Sequence, residues 1–171
     1  MRFLKYMFLL ILMLPILCFG HTTVIPVIQP LQKIIPHFLG LGFTHILPKG
    51  VDHILFVLGL FLASRTSKQL LIQVSAFTLA HTFTLGLSLL NIFTLPSGFI
   101  EPAIAWSIAM IGVENIRYNN PPKWRWIVVF CFGLIHGMGF AGVLKEVGLP
   151  HERFWSALLS FNGGVELGQL T

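Results

Sequence analysis

Six apolar segments follow one another along almost the whole chain, and they limit the possible folds more than any other feature. They lie at about residues 34–47, 51–64, 69–95, 99–116, 124–145 and 154–171, with short gaps between them. A helix needs about 20 apolar residues to cross roughly 30 Å of hydrocarbon. We therefore predict an all-α polytopic transmembrane helical bundle with about five to six membrane segments.

Composition and charge agree with a membrane domain and leave no room for a separate soluble one. The chain is 55% hydrophobic and 10% charged, with a mean hydropathy of +0.82, whereas soluble domains carry about 25% charged residues. The net charge of +5 comes from Lys and Arg residues in the gaps between apolar segments. That distribution is typical of the positive-inside rule, and it excludes nucleic acid as a partner.

The first 20 residues have the pattern of a secretory signal peptide. Arg2 and Lys5 precede an apolar core that ends in a small-x-small sequence, which predicts cleavage before His21. An uncleaved signal anchor is the alternative. Both interpretations place residues 21–33, a short linker, outside the cytoplasm.

The basic residues also predict how the first two apolar segments are arranged. The segment 34–47 would be only about 21 Å long as a helix, too short to cross alone. If the region 34–64 crosses once, five cations all face the cytoplasm, as the positive-inside rule requires. These are Arg65, Lys68, Arg117, Lys123 and Arg125. The region is then a span broken at Pro48, Lys49 and Gly50, or an interfacial helix followed by a tilted span.

Several polar side chains lie inside the apolar segments. Ionisable groups there cost about 2.5–3.5 kcal/mol and normally face the bundle interior or a functional path. Ser75, Thr78 and His81 lie on one stripe of the third segment, because residues three or four apart share a helix face. A histidine hydrogen-bonded to a neighbouring helix is the structural alternative for His81.

Two later segments repeat this feature. His136 lies between Gly133 and Gly137, and small residues at this spacing allow membrane helices to approach closely. The last segment places Asn162, Glu166 and Gln169 on one face. Either the glycines are packing residues and His136 hydrogen-bonds across that contact, or the close approach brings His136 to functional groups on other helices. A carboxylate flanked by two amides within a membrane helix is harder to explain structurally.

These side chains supply nitrogen and oxygen donors on at least four segments. The candidate metal ligands are His45, Asp52, His53, His81, His136 and Glu166, with Glu114, Asn162 and Gln169 as possible supporting residues. Imidazole suits zinc, copper, iron and nickel. A site or path for a divalent transition metal is therefore the leading interpretation, and a proton relay is the second. Glu114 has a structural alternative, an ion pair with Arg117.

Five motifs in order resemble the HupE/UreJ family of membrane accessory proteins: "GFTHILPKGVDHILFVLGL", "FTLAHTFTL", "ENIR", "FGLIHGMGFAGVL" and "FNGGVELGQL". The resemblance covers about residues 34–171. It implies a nickel or cobalt permease that serves hydrogenase or urease maturation. It also implies that His45, Asp52 and His53 capture the metal, and that His81, His136 and Glu166 complete or extend the path. Ile46 stands where the family pattern has proline, and the interval from His45 to Asp52 is one residue longer.

The resulting expectation is a multi-pass protein of the bacterial inner membrane, with an external N-terminus and no enzymatic activity. Its cargo would be nickel, with cobalt, zinc or copper as alternatives, and its partners the lipid bilayer and hydrogenase or urease maturation proteins. An intramembrane metal-dependent hydrolase and a binding-only protein, either a metal sensor or a haem anchor, are the competing hypotheses. The uncapped last segment predicts that the natural domain continues beyond Thr171.

Overall fold

The computed structural model describes residues 30–118 and 122–171, and every regular element in these two ranges is helical. The predicted signal peptide and residues 21–29 of the linker lie outside them. The helices are α1 (Leu31–Ile46), α2 (Val51–Ala63), α3 (Ser67–Leu89), α4 (Ser97–Arg117), α5 (Arg125–Gly139), α6 (Ala141–Val147) and α7 (Phe154–Leu170), with a 3-10 helix at His151–Arg153. The predicted all-α class is confirmed.

The helical conformation is interrupted between α1 and α2, at the position predicted from Pro48 and Gly50. The two helices meet at an angle of 72°. A proline disfavours helical geometry in the residue before it, and Leu47 is accordingly extended. Gly50 packs so closely on the carbonyl oxygen of His45 that a Cβ atom there would collide with it.

Helix α3 ends at Leu89, earlier than the predicted apolar segment, which ran to residue 95. The reason is Asn91, which takes a left-handed conformation with φ 56°. The Ile92 N–H then donates to Leu87 O at 2.9 Å, the hydrogen bond of a Schellman helix end. Apolar residues after this turn extend the hydrophobic run without extending the helix.

The fifth predicted segment, 124–145, is also not one straight helix. Helices α5 and α6 meet at 41° around Phe140. Gly139 and Gly142 flank this position, and glycine is a poor helix former. The bend lies beside a cleft that Gly139 and Phe140 help to line.

The surface of the bundle is apolar, and its interior combines two apolar clusters with a set of buried polar side chains. Phe99 and Ile116 are 73% and 89% exposed, while His81, Ser107 and Arg125 are almost fully buried. Exposed apolar surface on this scale marks contact with a partner or a membrane. Together with helices that are long and apolar enough to cross a bilayer, this surface identifies a membrane protein.

Within the described ranges, α3 and α4 are each long and apolar enough to cross a bilayer. The bent pairs α1–α2 and α5–α6 raise the number to four if each pair is one span. The count of five to six segments stays a prediction, and it would need α7, of 17 residues, to cross as well.

Close contacts at glycines bring the central helices together. A Cβ atom at Gly137 of α5 would collide with the backbone of His81 on α3, and one at Gly164 of α7 with Leu39 O on α1. The small residues of α5 and α7 thus lie at helix–helix contacts. The glycine of α5 allows α3 to approach α5 closely at the level of His81, and the glycine of α7 allows a close approach to α1.

The two ends of the bundle differ in charge. At one end, Gln73 donates to Ser64 Oγ at 3.3 Å and Asn115 donates to Gly59 O at 2.8 Å, joining α2, α3 and α4. This basic end carries the five cations Arg65, Lys68, Arg117, Lys123 and Arg125. At the other end, Lys145 donates to Asn91 Oδ1 at 2.6 Å, and the charges of Lys145 and Arg153 are offset by Glu146 and Glu152.

Candidate metal centre

Three histidines from three helices meet inside the bundle. His45 lies in the last turn of α1, His53 in the first turn of α2 and His81 near the middle of α3. One ring nitrogen from each lies within 4.8 Å of the others. Two nitrogens on one metal lie about 3–4 Å apart, given bonds of about 2.0–2.1 Å, so small side-chain movements would close this trio on an ion.

The break between α1 and α2 makes this meeting possible. His45 and His53 are eight residues apart, on opposite sides of the 72° bend, and their ring centroids are 4.8 Å apart. Gly50, packed on His45 O, lets the start of α2 fold back against the end of α1. Pro48 and Gly50 therefore position the two ligand candidates.

His81 is oriented by a side chain of α7. The distance from its Nδ1 to Asn162 Oδ1 is 3.0 Å, and Asn162 Nδ2 donates to Leu158 O at 2.8 Å. The carboxamide oxygen can only accept a hydrogen bond, so His81 Nδ1 is the protonated nitrogen. Its Nε2 then carries a lone pair.

His136 lies beside the trio as a fourth imidazole. Its ring centroid is 5.2 Å from that of His53, and its Nε2 lies 2.9 Å from Ser107 Oγ. The Ser107 hydroxyl donates its proton to Ile104 O at 2.7 Å, so it accepts from His136 Nε2–H. The lone pair of His136 is consequently on Nδ1.

Four imidazole nitrogens in this cluster are buried without a hydrogen-bond partner among the residues of the two described ranges. They are His45 Nε2, His53 Nε2, His81 Nε2 and His136 Nδ1. A buried polar group without a partner costs about 1–3 kcal/mol. Such nitrogens at one place could together hold a metal ion, which accepts electron pairs.

A cleft of about 490 Å³ leads to this cluster and reaches His45, His53 and His136. Its walls are largely apolar. Its polar lining includes Thr44, Lys49, Asp52 and Glu101. Asp52 is exposed and is not one of the three grouped ligands.

Glu166 and Gln169 lie along the contact between α3 and α7. Ser75 Oγ donates to Glu166 Oε1 at 2.6 Å, and Thr78 Oγ1 donates to Gln169 Oε1 at 2.9 Å. The polar stripe of α3 therefore faces the polar face of α7. We call this polar contact the α3–α7 seam. It continues from the His81–Asn162 pair towards the basic end.

Glu114 lies at the basic end of the bundle. Its Oε2 is 3.1 Å from Nε of the buried Arg125, which also donates to Asn115 Oδ1 at 3.1 Å. The alternative interpretation, an ion pair between Glu114 and Arg117 one turn further along the helix, is wrong. Helix periodicity points to the neighbour on the same helix, whereas the partner belongs to α5.

Ser107 and Glu101 contribute to the site in ways that local sequence patterns do not predict. Ser107 contacts a residue 29 positions away, and no local pattern predicts such a pair. Glu101, near the start of α4, is exposed and lines the cleft. Phe140, whose ring centroid is 3.7 Å from that of His45, carried no signal beyond its apolar character.

Comparison with known proteins identifies one matching family. The model described as HupE / UreJ protein matches residues 20–171, which is nearly the whole chain. Neither the comparison with curated proteins nor that with solved structures gave a match.

Proposed function

This chain belongs to the HupE / UreJ family, and from that premise we propose that it is a membrane permease for a divalent transition metal. Nickel is the first candidate, followed by cobalt, zinc and copper. The observation that carries the proposal is the trio of His45, His53 and His81, whose ligand nitrogens lie within 4.8 Å of one another. The break between α1 and α2 lies directly beside it.

The ligand set supports selection of transition metals over magnesium and calcium. Imidazole suits nickel, copper and zinc, whereas magnesium and calcium prefer oxygen ligands. Histidine binds metal as the neutral imidazole, so three histidines leave the ion with its full charge of +2. A site of this kind holds the ion without neutralising it.

The charge distribution supports a direction of movement. We place the basic end of the bundle in the cytoplasm, following the positive-inside rule, so the cleft opens outside the inner membrane of a bacterium. Asp52 and Glu101 at the cleft would attract the cation. Beyond the histidines, the α3–α7 seam with Glu166 offers a polar route inward.

The membrane potential supplies enough driving force for import. One elementary charge gains about 2.3 kcal/mol per 100 mV, so a divalent cation gains about 4.6 kcal/mol. Import therefore needs no enzymatic activity in this chain. The imported ion would serve hydrogenase or urease maturation proteins.

Uptake of radioactive nickel in cells that express the protein tests this proposal. The wild type should accumulate nickel above cells with the empty vector, and His53→Gln should not. His37→Gln is the matched control, because His37 is an exposed histidine of α1 and its loss should leave uptake unchanged. If no nickel, cobalt, zinc or copper enters above the vector level, the permease proposal is wrong.

The cleft favours one second candidate, an intramembrane metal-dependent hydrolase. The cleft is larger than a hydrated metal ion needs and leaves room for a substrate. Six waters around an ion fill about 180 Å³ at about 30 Å³ each, less than half of the cleft's 490 Å³. A metal on three histidines with an open position can activate a water, and Asp52 and Glu101 supply carboxylates beside it. Tight metal binding by purified protein without any uptake in cells would support this alternative.

A further inference from the structure

Two imidazoles of the cluster are held in opposite tautomers by side chains that do not belong to the trio. We propose that Asn162 and Ser107 are positioning residues that direct the lone pairs of His81 and His136 into the metal site. We also propose that the neutral amide of Asn162 keeps metal binding weak enough for release. This inference rests on the proposed permease function and names two residues that regulate its site.

For His81, the direction of the hydrogen bond follows from the amide itself. Asn162 uses Nδ2 to donate to Leu158 O at 2.8 Å, so Oδ1 faces His81 Nδ1 at 3.0 Å. Asn162 is 4% exposed and His81 is fully buried. Because both groups are buried, bulk water cannot easily replace the amide, and the lone pair stays on Nε2.

For His136, the direction follows from the single proton of the serine. Ser107 donates to Ile104 O at 2.7 Å and therefore accepts from His136 Nε2–H at 2.9 Å. Both side chains are buried. The two outer partners thus place one lone pair on Nε2 of His81 and the other on Nδ1 of His136, the two atoms without a partner among the described residues.

The group that accepts the hydrogen bond from His81 Nδ1 affects how tightly the site binds a metal ion. Metal-ligating histidines often donate their second N–H to a carboxylate, which raises the basicity of the ligand nitrogen. An amide accepts the same hydrogen bond without a full negative charge. Asn162 therefore orients His81 as a carboxylate would, while leaving it a weaker donor, which suits an ion in transit more than one that stays.

Cobalt binding by the full chain, purified in detergent, tests the inference through the visible absorption of bound Co²⁺. Asn162→Leu should weaken binding about 10–100-fold, the usual effect of removing such a partner. Asn162→Asp should restore the hydrogen bond and bind cobalt more tightly than the wild type, while nickel uptake at saturating metal becomes slower. Gln73→Leu is the matched control, since Gln73 is a buried amide of α3 that bonds Ser64 instead of a histidine, and it should bind normally.

Nitrogen NMR of histidine-labelled protein without metal gives a second measurement that does not depend on binding. The wild type should show His81 protonated at Nδ1 and His136 at Nε2. Ser107→Ala should release His136 to a mixture of tautomers, whereas Ser88→Ala, another buried serine, should not. Unchanged tautomers in Asn162→Leu and Ser107→Ala, or cobalt binding in Asn162→Asp no tighter than in the wild type, would overturn the inference. A wild type that shows the two tautomers but binds no metal would instead count against the permease.

Discussion

Arg125 brings a guanidinium into the bundle at 1% exposure, and its neighbours show how the charge is accommodated. Glu114 supplies an ion pair at 3.1 Å and Asn115 a hydrogen bond at 3.1 Å. A buried cation that loses its carboxylate keeps its desolvation cost without the compensating attraction. The pair of Glu114 and Arg125 therefore has a structural role, because it joins α4 to α5.

Glu114→Gln should therefore lower the free energy of unfolding by about 1.5–3 kcal/mol, the range for a hydrogen bond to a charged group, because the Glu114 side chain is 20% exposed. The measurement is denaturation in mixed micelles. Glu101→Gln removes an exposed carboxylate from the same helix and should change stability little. Equal stability of the two variants would show that Arg125 does not depend on Glu114.

Asp52 has a different role from the histidine that follows it. It is exposed and lines the cleft, so we expect it to attract cations through its charge rather than to ligate the ion. Asp52→Asn should raise the metal concentration for half-maximal uptake, because Asp52 and Glu101 outweigh Lys49 in the cleft lining and a net negative lining concentrates cations. Equilibrium binding of cobalt should change by less than the loss of His53. If Asp52→Asn abolishes binding as His53→Gln does, Asp52 is a ligand.

At the scale of the element, the broken helix is the feature on which the site depends. Without the break, His45 and His53 would lie about 12 Å apart along one helix axis, at 1.5 Å per residue, whereas their ring centroids are 4.8 Å apart. Pro48 ends α1, and Gly50 allows the tight return into α2. The two residues with the least helical character in this region bring the ligands together.

Gly50→Ala tests this dependence. The new Cβ atom would collide with the carbonyl of His45, and overpacking of this kind costs about 1–3 kcal/mol. If the break shifts to relieve the collision, cobalt binding should weaken about tenfold, since 1.4 kcal/mol is a factor of ten. Gly40→Ala is the control in α1, because a Cβ atom there meets nothing within 4 Å. Normal binding in Gly50→Ala would show that the close approach is not needed.

The elements themselves were largely predictable from the sequence, and their contacts were not. Apolar runs and charges predicted most helices, and Pro48 with Gly50 predicted the break. The early end of α3 at Asn91 was missed because the apolar run continues past it. Periodicity assigns His136 and Ser107 to faces of their own helices, but the register between two helices depends on packing across the bundle. The ion pair between Glu114 and Arg125 could not be predicted for the same reason.

At the scale of the whole molecule, the separation of charge is the main constraint on orientation. Five cations lie at the basic end. At the opposite end, Lys145 and Glu146 of α6 and the nearby Glu152 and Arg153 carry charges that offset one another. Contacts at Gln73–Ser64 and Asn115–Gly59 bring the ends of α2 and α4 and the start of α3 to one side. If the bent pair α1–α2 is one span, Leu31 and Ala63 lie on opposite sides of the membrane.

This arrangement predicts which loops an impermeant maleimide can reach in intact cells. With Cys18 and Cys131 replaced by serine, Glu146→Cys should be labelled from outside, whereas Lys68→Cys should react only after the membrane is opened. The physical reason is the bias of Lys and Arg towards the cytoplasm, which places both ends of the α2–α3 connection inside if α1–α2 crosses once. Labelling of Lys68→Cys in intact cells would mean that α1 and α2 each cross, or that the bundle is inverted. Lys33→Cys, in the first turn of α1, separates these outcomes, because it is labelled from outside if α1 and α2 each cross and is protected if the whole bundle is inverted.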